Sequence, residues 1–280
     1  MKFPKGPSSS CPAENPPLRR QNRADVPAST LPHSKLAERR LRSQTSGVSG
    51  YHHRFLLLLS VLLPFPPHLM AAESRDPSIF EPEIRAYEAV DRRTPPPKHP
   101  ILFVGSSSFR LWTNTSTAFP GQVIVNRGFG GSTMRDLLFY FDRIVVPYHP
   151  RAVVVYEGDN DLAQGRTPES VAADYVEFLD RTARQLPGTP VILLAVKPSQ
   201  SRRTQMEAQR NLNARLQAFA AHREGVSFAD TFSPVLDPRG EPDSRYFMPD
   251  RLHLNPDGYA VWQPVVADAL NRLPAGSRSR

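Results

Sequence analysis

Asp250-Arg-Leu-His253 sets a carboxylate three residues before an imidazole that it can orient. Gly105-Ser-Ser-Ser108 puts three hydroxyls directly behind the apolar run Ile101-Leu-Phe-Val104, where a strand opens onto a helix N-terminus with free N–H groups and a positive dipole. A hydroxyl, an imidazole that takes its proton, a carboxylate that holds the imidazole and N–H donors for a developing oxyanion are the parts acyl transfer needs. Donors can come from two further stretches, Asn126-Arg-Gly-Phe-Gly-Gly-Ser-Thr133 and Gly158-Asp-Asn-Asp161. Each residue also has a plainer reading. Serine caps helices, Asp250 can cap a turn, His253 can be a core or capping histidine, and Gly131 can be needed only for its backbone angles. Asp159 and Asp161 read as solvated turn residues rather than metal ligands, and Arg110, Arg127 and Arg135 as surface arginines unless they meet an acidic substrate group.

These stretches need a scaffold that brings strand ends together. Short apolar runs at Ile101–Val104, Val123–Asn126, Ala152–Tyr156, Val191–Val196 and Val226–Ala229 alternate with helical patterns. One such pattern carries Met134, Leu137, Leu138 and Phe141; a second starts at Thr167-Pro168 and carries Val171, Tyr175, Phe178, Leu179 and Leu186. A third carries Met206, Leu212, Leu216, Phe219 and Ala220, and the last runs from about Pro256 to Leu273 with Tyr259, Trp262, Val266 and Leu270 inward. Five strands alternating with helices imply a parallel sheet covered on both faces, an α/β architecture whose strand-end loops converge on one edge. The glycine clusters lack the dinucleotide spacing, and no P-loop lysine follows.

In these four blocks the sequence resembles the SGNH, or GDSL-type, hydrolase superfamily, in its Gly-Ser-Ser-Ser bacterial subgroup. Gly105–Ser108 matches the first block with Ser107 at the nucleophile position, and Ser106 stands where the family usually has Asp. Asn126–Thr133 matches the second block and implies Gly131 as an oxyanion donor, beside the Ser107 N–H. Gly158–Asp161 matches the third and implies the Asn160 side chain in the oxyanion hole, while Asp250–His253 matches the last, with His253 as base and Asp250 as its orienter. The resemblance implies a three-layer α/β/α sandwich of flavodoxin-like shape with a five-stranded parallel sheet. It also implies a metal-independent serine esterase without cofactor, acting on a small-molecule or carbohydrate ester. The competing expectations are a catalytically silent glycan-binding module of the same fold and a flavodoxin-like phosphate or nucleotide binder.

Composition limits partners. The net charge of +8 comes almost wholly from the first 72 residues, with ten Lys and Arg against three acids; the remainder has 25 against 24. No basic stripe interleaved with aromatics follows, so nucleic acid is not expected as a partner. Cys11, the single cysteine, lies in that leader, so the domain holds no cysteine nucleophile. The expected organisation is a disordered basic Pro/Ser-rich extension over 1–53, a signal peptide over 54–72, a linker with a short helix over 73–99, and the hydrolase domain over 100–275. Phe55–Leu63 is apolar but too short to span a bilayer, so no stable membrane anchor is expected and the protein reads as secreted or periplasmic. The fifty residues before this signal point to a later translation start such as Val48; a start at Met70 would remove the signal and leave a cytosolic protein. The helix in the linker is expected to pack on the domain through Ile84, Tyr87 and Val90.

Overall fold

The computed structural model describes residues 75–274. The expected basic extension and signal peptide lie outside the described residues. Strands β1 (Ile101–Gly105), β2 (Ile124–Gly128), β3 (Ala152–Tyr156), β4 (Val191–Leu194) and β5 (Val226–Ala229) form one parallel sheet in the order β2-β1-β3-β4-β5. The order reverses between β1 and β3, and this is where an open α/β sheet leaves a crevice at its carboxyl edge. The helices are α1 (Glu81–Arg93), α2 (Ser107–Arg110), α3 (Thr115–Ala118), α4 (Met134–Phe139), α5 (Phe141–Ile144), α6 (Asp159–Ala163), α7 (Pro168–Gln185), α8 (Met206–His222) and α9 (Pro256–Asn271).

Alternation along the strands divides the core in two, because successive side chains of a strand point to opposite faces. Leu102, Val104, Val153, Val155 and Leu193 pack with Ile84 of α1, Met134 and Leu137 of α4, Tyr175 and Phe178 of α7 and Leu212 of α8. Phe103, Val154, Tyr156 and Ile192 pack on the other face with Phe109, Trp112 and α9 residues Tyr259, Trp262 and Val266. The Trp112 and Tyr259 rings stack at 5.1 Å, and the polar ends of Trp262 and Tyr259 are satisfied, Trp262 Nε1 donating to Thr231 O at 2.9 Å and the Tyr259 hydroxyl to Ser108 O at 2.8 Å. The result is the expected α/β/α sandwich.

Local departures from expectation have local causes. The α4 and α5 helices replace one continuous helix because the chain breaks at Tyr140, which turns its ring into the core while Phe139 is left exposed. Strand β2 extends through Arg127 and Gly128, since both pair with β1. Strand β4 stops at Leu194, and the backbone N–H and C=O of Val196 are instead satisfied by the side-chain amide of Asn213, at 2.7 and 3.0 Å. Helix α6 occupies what reads as a turn. Val90, expected to pack, is 46% exposed, while Ile84 is fully buried.

Candidate active site

The end of β1 delivers the three serines. Gly105 is a glycine because a Cβ there would lie 1.9 Å from the carbonyl oxygen of Tyr156 on β3. Ser106 is fully buried and its N–H donates to Tyr156 O at 3.1 Å, so its side chain is turned inward. Ser108 is 1% exposed, with its carbonyl held by the Tyr259 hydroxyl at 2.8 Å. Ser107 is the serine that meets the histidine: its Oγ lies 3.0 Å from His253 Nε2.

The histidine comes from the turn before α9. Asp250 Oδ1 accepts the N–H groups of Leu252 and His253 at 2.9 and 3.0 Å, which closes the turn, and Asp250 Oδ2 lies 2.6 Å from His253 Nδ1. Arg251 takes up the reversal with a φ of 59°. Burial pushes the Asp250 carboxyl up, but the hydrogen bonds from the His253 ring and the two N–H groups outweigh it and hold it at about 2. With Nδ1–H donated to Asp250, Nε2 is left as an acceptor for the Ser107 hydroxyl. Asn255 then caps α9 by accepting Gly258 N–H at 2.9 Å, with Pro256 in the first helical turn.

The opposite wall holds Gly131 and Asn160. Gly131 takes a φ of 78°, its carbonyl accepts from Arg75 Nη2 at 2.9 Å, and its N–H has no partner among the described residues. Asn160, in the first turn of α6, donates from Nδ2 to Ser132 O at 2.8 Å and accepts at Oδ1 from Arg202 Nη2 at 2.7 Å. Those two partners fix which end of the amide is the donor, and one Nδ2 proton is left over. Ser132 Oγ is itself 2.6 Å from Glu157 Oε1 and 3.1 Å from Phe129 O. Burial, and then the charge of Asp161, raises the Glu157 carboxyl well above its usual range. Ser132 Oγ is the donor in both contacts, so its one proton is shared between the Glu157 carboxyl and Phe129 O.

Asp159 and Asp161 are not solvated turn residues. Asp159 is 4% exposed, and its Oδ2 lies 3.3 Å from both Lys197 Nζ and Arg202 Nη1. Asp161 is fully buried, accepts the Met134 N–H and pairs with Arg166 Nη1 at 2.9 Å. Desolvation pushes Asp159 up, but the Lys197 and Arg202 charges more than reverse it; Lys197 is itself lowered by burial. Arg110, Arg127 and Arg135 pair with Glu83, Asp91 and Asp174 and so do not wait for an acidic substrate group. Sequence reasoning missed Lys197, Arg202 and Glu157. Lys197 was visible as a charge directly after an apolar run, at the same sheet edge as the other blocks; nothing near Arg202 marks it. Among the described residues no cluster of three or more His, Cys, Asp or Glu side chains is placed to hold a metal ion.

A parallel α/β/α sandwich that gathers hydroxyl, imidazole and carboxylate at its carboxyl edge defines the class of this protein, a carboxylic ester hydrolase of the SGNH type. The family model for the GDSL-like lipase/acylhydrolase family matches residues 104–261, and the chain belongs to that family. Among solved structures, the chain is similar to a Streptococcus pneumonia protein assigned as a platelet activating factor, at 24% identity and a TM-score of 0.61, covering 68% of this chain and 92% of that one. It is similar to a Bacteroides fragilis protein assigned as an acylhydrolase, at 24% identity and a TM-score of 0.60, covering 67% and 95%. A GDSL-like lipase from Bacteroides thetaiotaomicron matches at 20% identity and a TM-score of 0.60, over 68% and 98%. At these identities the likeness speaks to the fold. No curated protein matches the chain.

Proposed function

We propose that the protein hydrolyses short-chain acyl esters, with acetyl esters of carbohydrates as the favoured class, through an acyl-enzyme on Ser107. The observation that carries this reading is the line of contacts from Ser107 Oγ to His253 Nε2 at 3.0 Å and from His253 Nδ1 to Asp250 Oδ2 at 2.6 Å. Ser107 Oγ attacks the carbonyl carbon while His253 Nε2 takes its proton, and the carbonyl oxygen becomes an oxyanion. The Ser107 N–H, the Gly131 N–H and the remaining Asn160 Nδ2 proton receive that charge, each donor being worth roughly 3–4 kcal/mol in the transition state. His253 then returns the proton to the leaving alkoxide. Water, deprotonated by the same nitrogen, attacks the acyl-enzyme, and collapse of the second oxyanion releases the acid and restores Ser107.

Support for a hydroxylated alcohol portion comes from an open polar cleft of about 730 Å³ lined by Gln200, Arg203, Arg239, Glu241, Ser244 and Arg251. Arg251 belongs to the Asp250–His253 turn; Ser107, Asp250 and His253 do not themselves line the cleft, whose arginines pair with its own carboxylates, Arg203 with Glu241 and Arg239 with Asp237. The test is a fluorophosphonate probe with peptide mapping, together with turnover of 4-nitrophenyl acetate and acetylated sugars by the full chain. Labelling at Ser107, lost in His253→Ala, and turnover abolished in Ser107→Ala are expected. Well-folded protein that neither labels nor turns over either ester would replace this reading with a silent glycan-binding module.

A further inference from the structure

The segment ahead of β1 lies before residue 104, where the family match begins. It nevertheless touches four successive residues, the last of β2 and the first three of the loop that follows it. Tyr87 donates its hydroxyl to Gly128 O, and the Phe80 ring meets Phe129 edge-on at 5.1 Å. Gly130 donates its N–H to Glu83 Oε2 at 3.1 Å, and Arg75 Nη2 donates to Gly131 O at 2.9 Å. We propose that residues 75–93 are a strap that fixes the Gly131 N–H for the oxyanion, with Glu83 and Tyr87 as positioning residues; this rests on the esterase reading above.

Glycines at 128, 130 and 131 give this run wide backbone freedom, yet an oxyanion donor acts only if its position is set before the reaction. The sheet holds this loop no further than Phe129, whose N–H donates to Gly105 O at 2.8 Å. Helix α4 takes hold again at the Thr133 capping box. Between those points, the backbone hydrogen bonds of Gly130 and Gly131 go to Glu83 and Arg75. By occupying the Gly130 N–H, Glu83 also leaves Gly131 as the free donor of the pair.

The strap reaches the nucleophile as well. Glu83 Oε1 lies 3.8 Å from Arg110 Nε on α2, the helix that Ser107 opens. That guanidinium offsets a carboxylate which would otherwise oppose negative charge at the oxyanion. Burial, and then the Glu83 charge, pushes the Tyr87 phenol up to about 12, so it remains a donor. The Tyr87 ring also stacks against the Arg127 guanidinium at 5.0 Å, a contact that Tyr87→Phe preserves.

Four full-chain variants test this: Tyr87→Phe, Glu83→Ala, Glu83→Gln, which keeps an acceptor for Gly130, and Arg85→Ala. Arg85 pairs with Glu81 on the same helix and does not touch the loop. Turnover of 4-nitrophenyl acetate, thermal unfolding and hydrogen exchange of peptides spanning 128–132 are measured. Tyr87→Phe and Glu83→Ala are each expected to lower kcat about tenfold with KM unchanged, because the donor acts in the transition state. Exchange across 128–132 rises while the rest of the domain keeps its protection. Glu83→Gln restores most of kcat, and Arg85→Ala matches the parent. Unchanged kcat and exchange, an equal loss in Arg85→Ala, or faster exchange throughout the domain would each overturn the strap. If the parent protein has no turnover, the esterase reading fails separately, and exchange alone decides whether the strap holds the loop.

Discussion

Asp250 and His253 stand three residues apart in one turn, with side chains 46% and 23% exposed. Asn160, across the site, is held by Ser132 and Arg202 from distant parts of the chain and rests on Asp159, Lys197, Glu157 and Asp161, none more than 4% exposed. The acid–base wall is local and wet, and the oxyanion wall is nonlocal and dry. The His253 ring and the N–H groups of Leu252 and His253, all from the same turn, keep the Asp250 carboxylate charged, so a turn is enough to aim it. A neutral amide that must point a proton at one place needs both of its ends engaged; the Ser132 carbonyl takes one end, and Arg202, which takes the other, is paired with the buried Asp159. Precision on this side of the site is therefore more closely bound up with buried charge than on the other.

The largest effect that separates the two walls is expected at Asp250. Asp250→Asn retains an oxygen for the Leu252 and His253 N–H groups, so the turn persists, but it no longer selects the His253 tautomer with Nε2 free. A fall of about 10⁴-fold in kcat is expected, with a smaller loss of stability than a broken buried pair brings, because the carboxylate charge goes but the acceptor for the two N–H groups stays. Steady-state kinetics and thermal unfolding check both halves; a variant that lost stability and kept kcat would erase the contrast.

Lys197→Met is expected to do the reverse. It leaves Asp159 buried with only Arg202 as a charged partner, and breaking a buried pair costs about 3–5 kcal/mol of stability. Denaturant unfolding reads this directly. Combining Lys197→Met with Asp159→Leu removes both charges and is expected to recover most of the loss, whereas a simple sum of two losses would mean that packing, not charge, holds this wall.

The same contrast decides what could be read from the sequence. Asp250 and His253 were legible because their partnership is written in three residues, and Ser107 because it falls at the nucleophile position of the block it resembles. The strand set was legible too: β3 is a continuous apolar run, β5 is a short one interrupted by Ser227, and the ends of both agree with the structure. Three adjacent serines could not be told apart by residue type; burial separates them, sending Ser106 and Ser108 inward and leaving Ser107 to His253. Asp159 and Asp161 were misread because a carboxylate beside glycine looks like a solvated turn, and their cations arrive from Lys197, Arg202 and Arg166. Those pairings belong to the folded sheet edge and leave no periodic trace in the chain. Strap residues Glu83 and Tyr87 hid for the same reason, since helical spacing announces that a helix packs, not what it holds.

The smallest effect, and the sharpest on the comparison, is the response to pH. The Asp161 carboxyl is raised by burial to about 6, against an ordinary value of 3.8, despite the Met134 N–H and Arg166. Below the ordinary value both folded and unfolded chains hold this proton and no stability is lost. As pH rises toward 6 the unfolded chain releases it first, so the folded state loses stability across that window and no further above it. Asp250, held at about 2, has the opposite sign: its contribution is present above 3.8 and is lost as pH falls toward 2. Asp161→Asn removes the first slope and leaves the second. Between pH 4 and pH 7 the stability difference between the two proteins is expected to move in favour of the variant by about 2 kcal/mol, read from urea unfolding at several pH values. A difference that stays flat would mean that Arg166 keeps Asp161 ionised throughout, and that the dry wall carries its charge as permanently as the wet one.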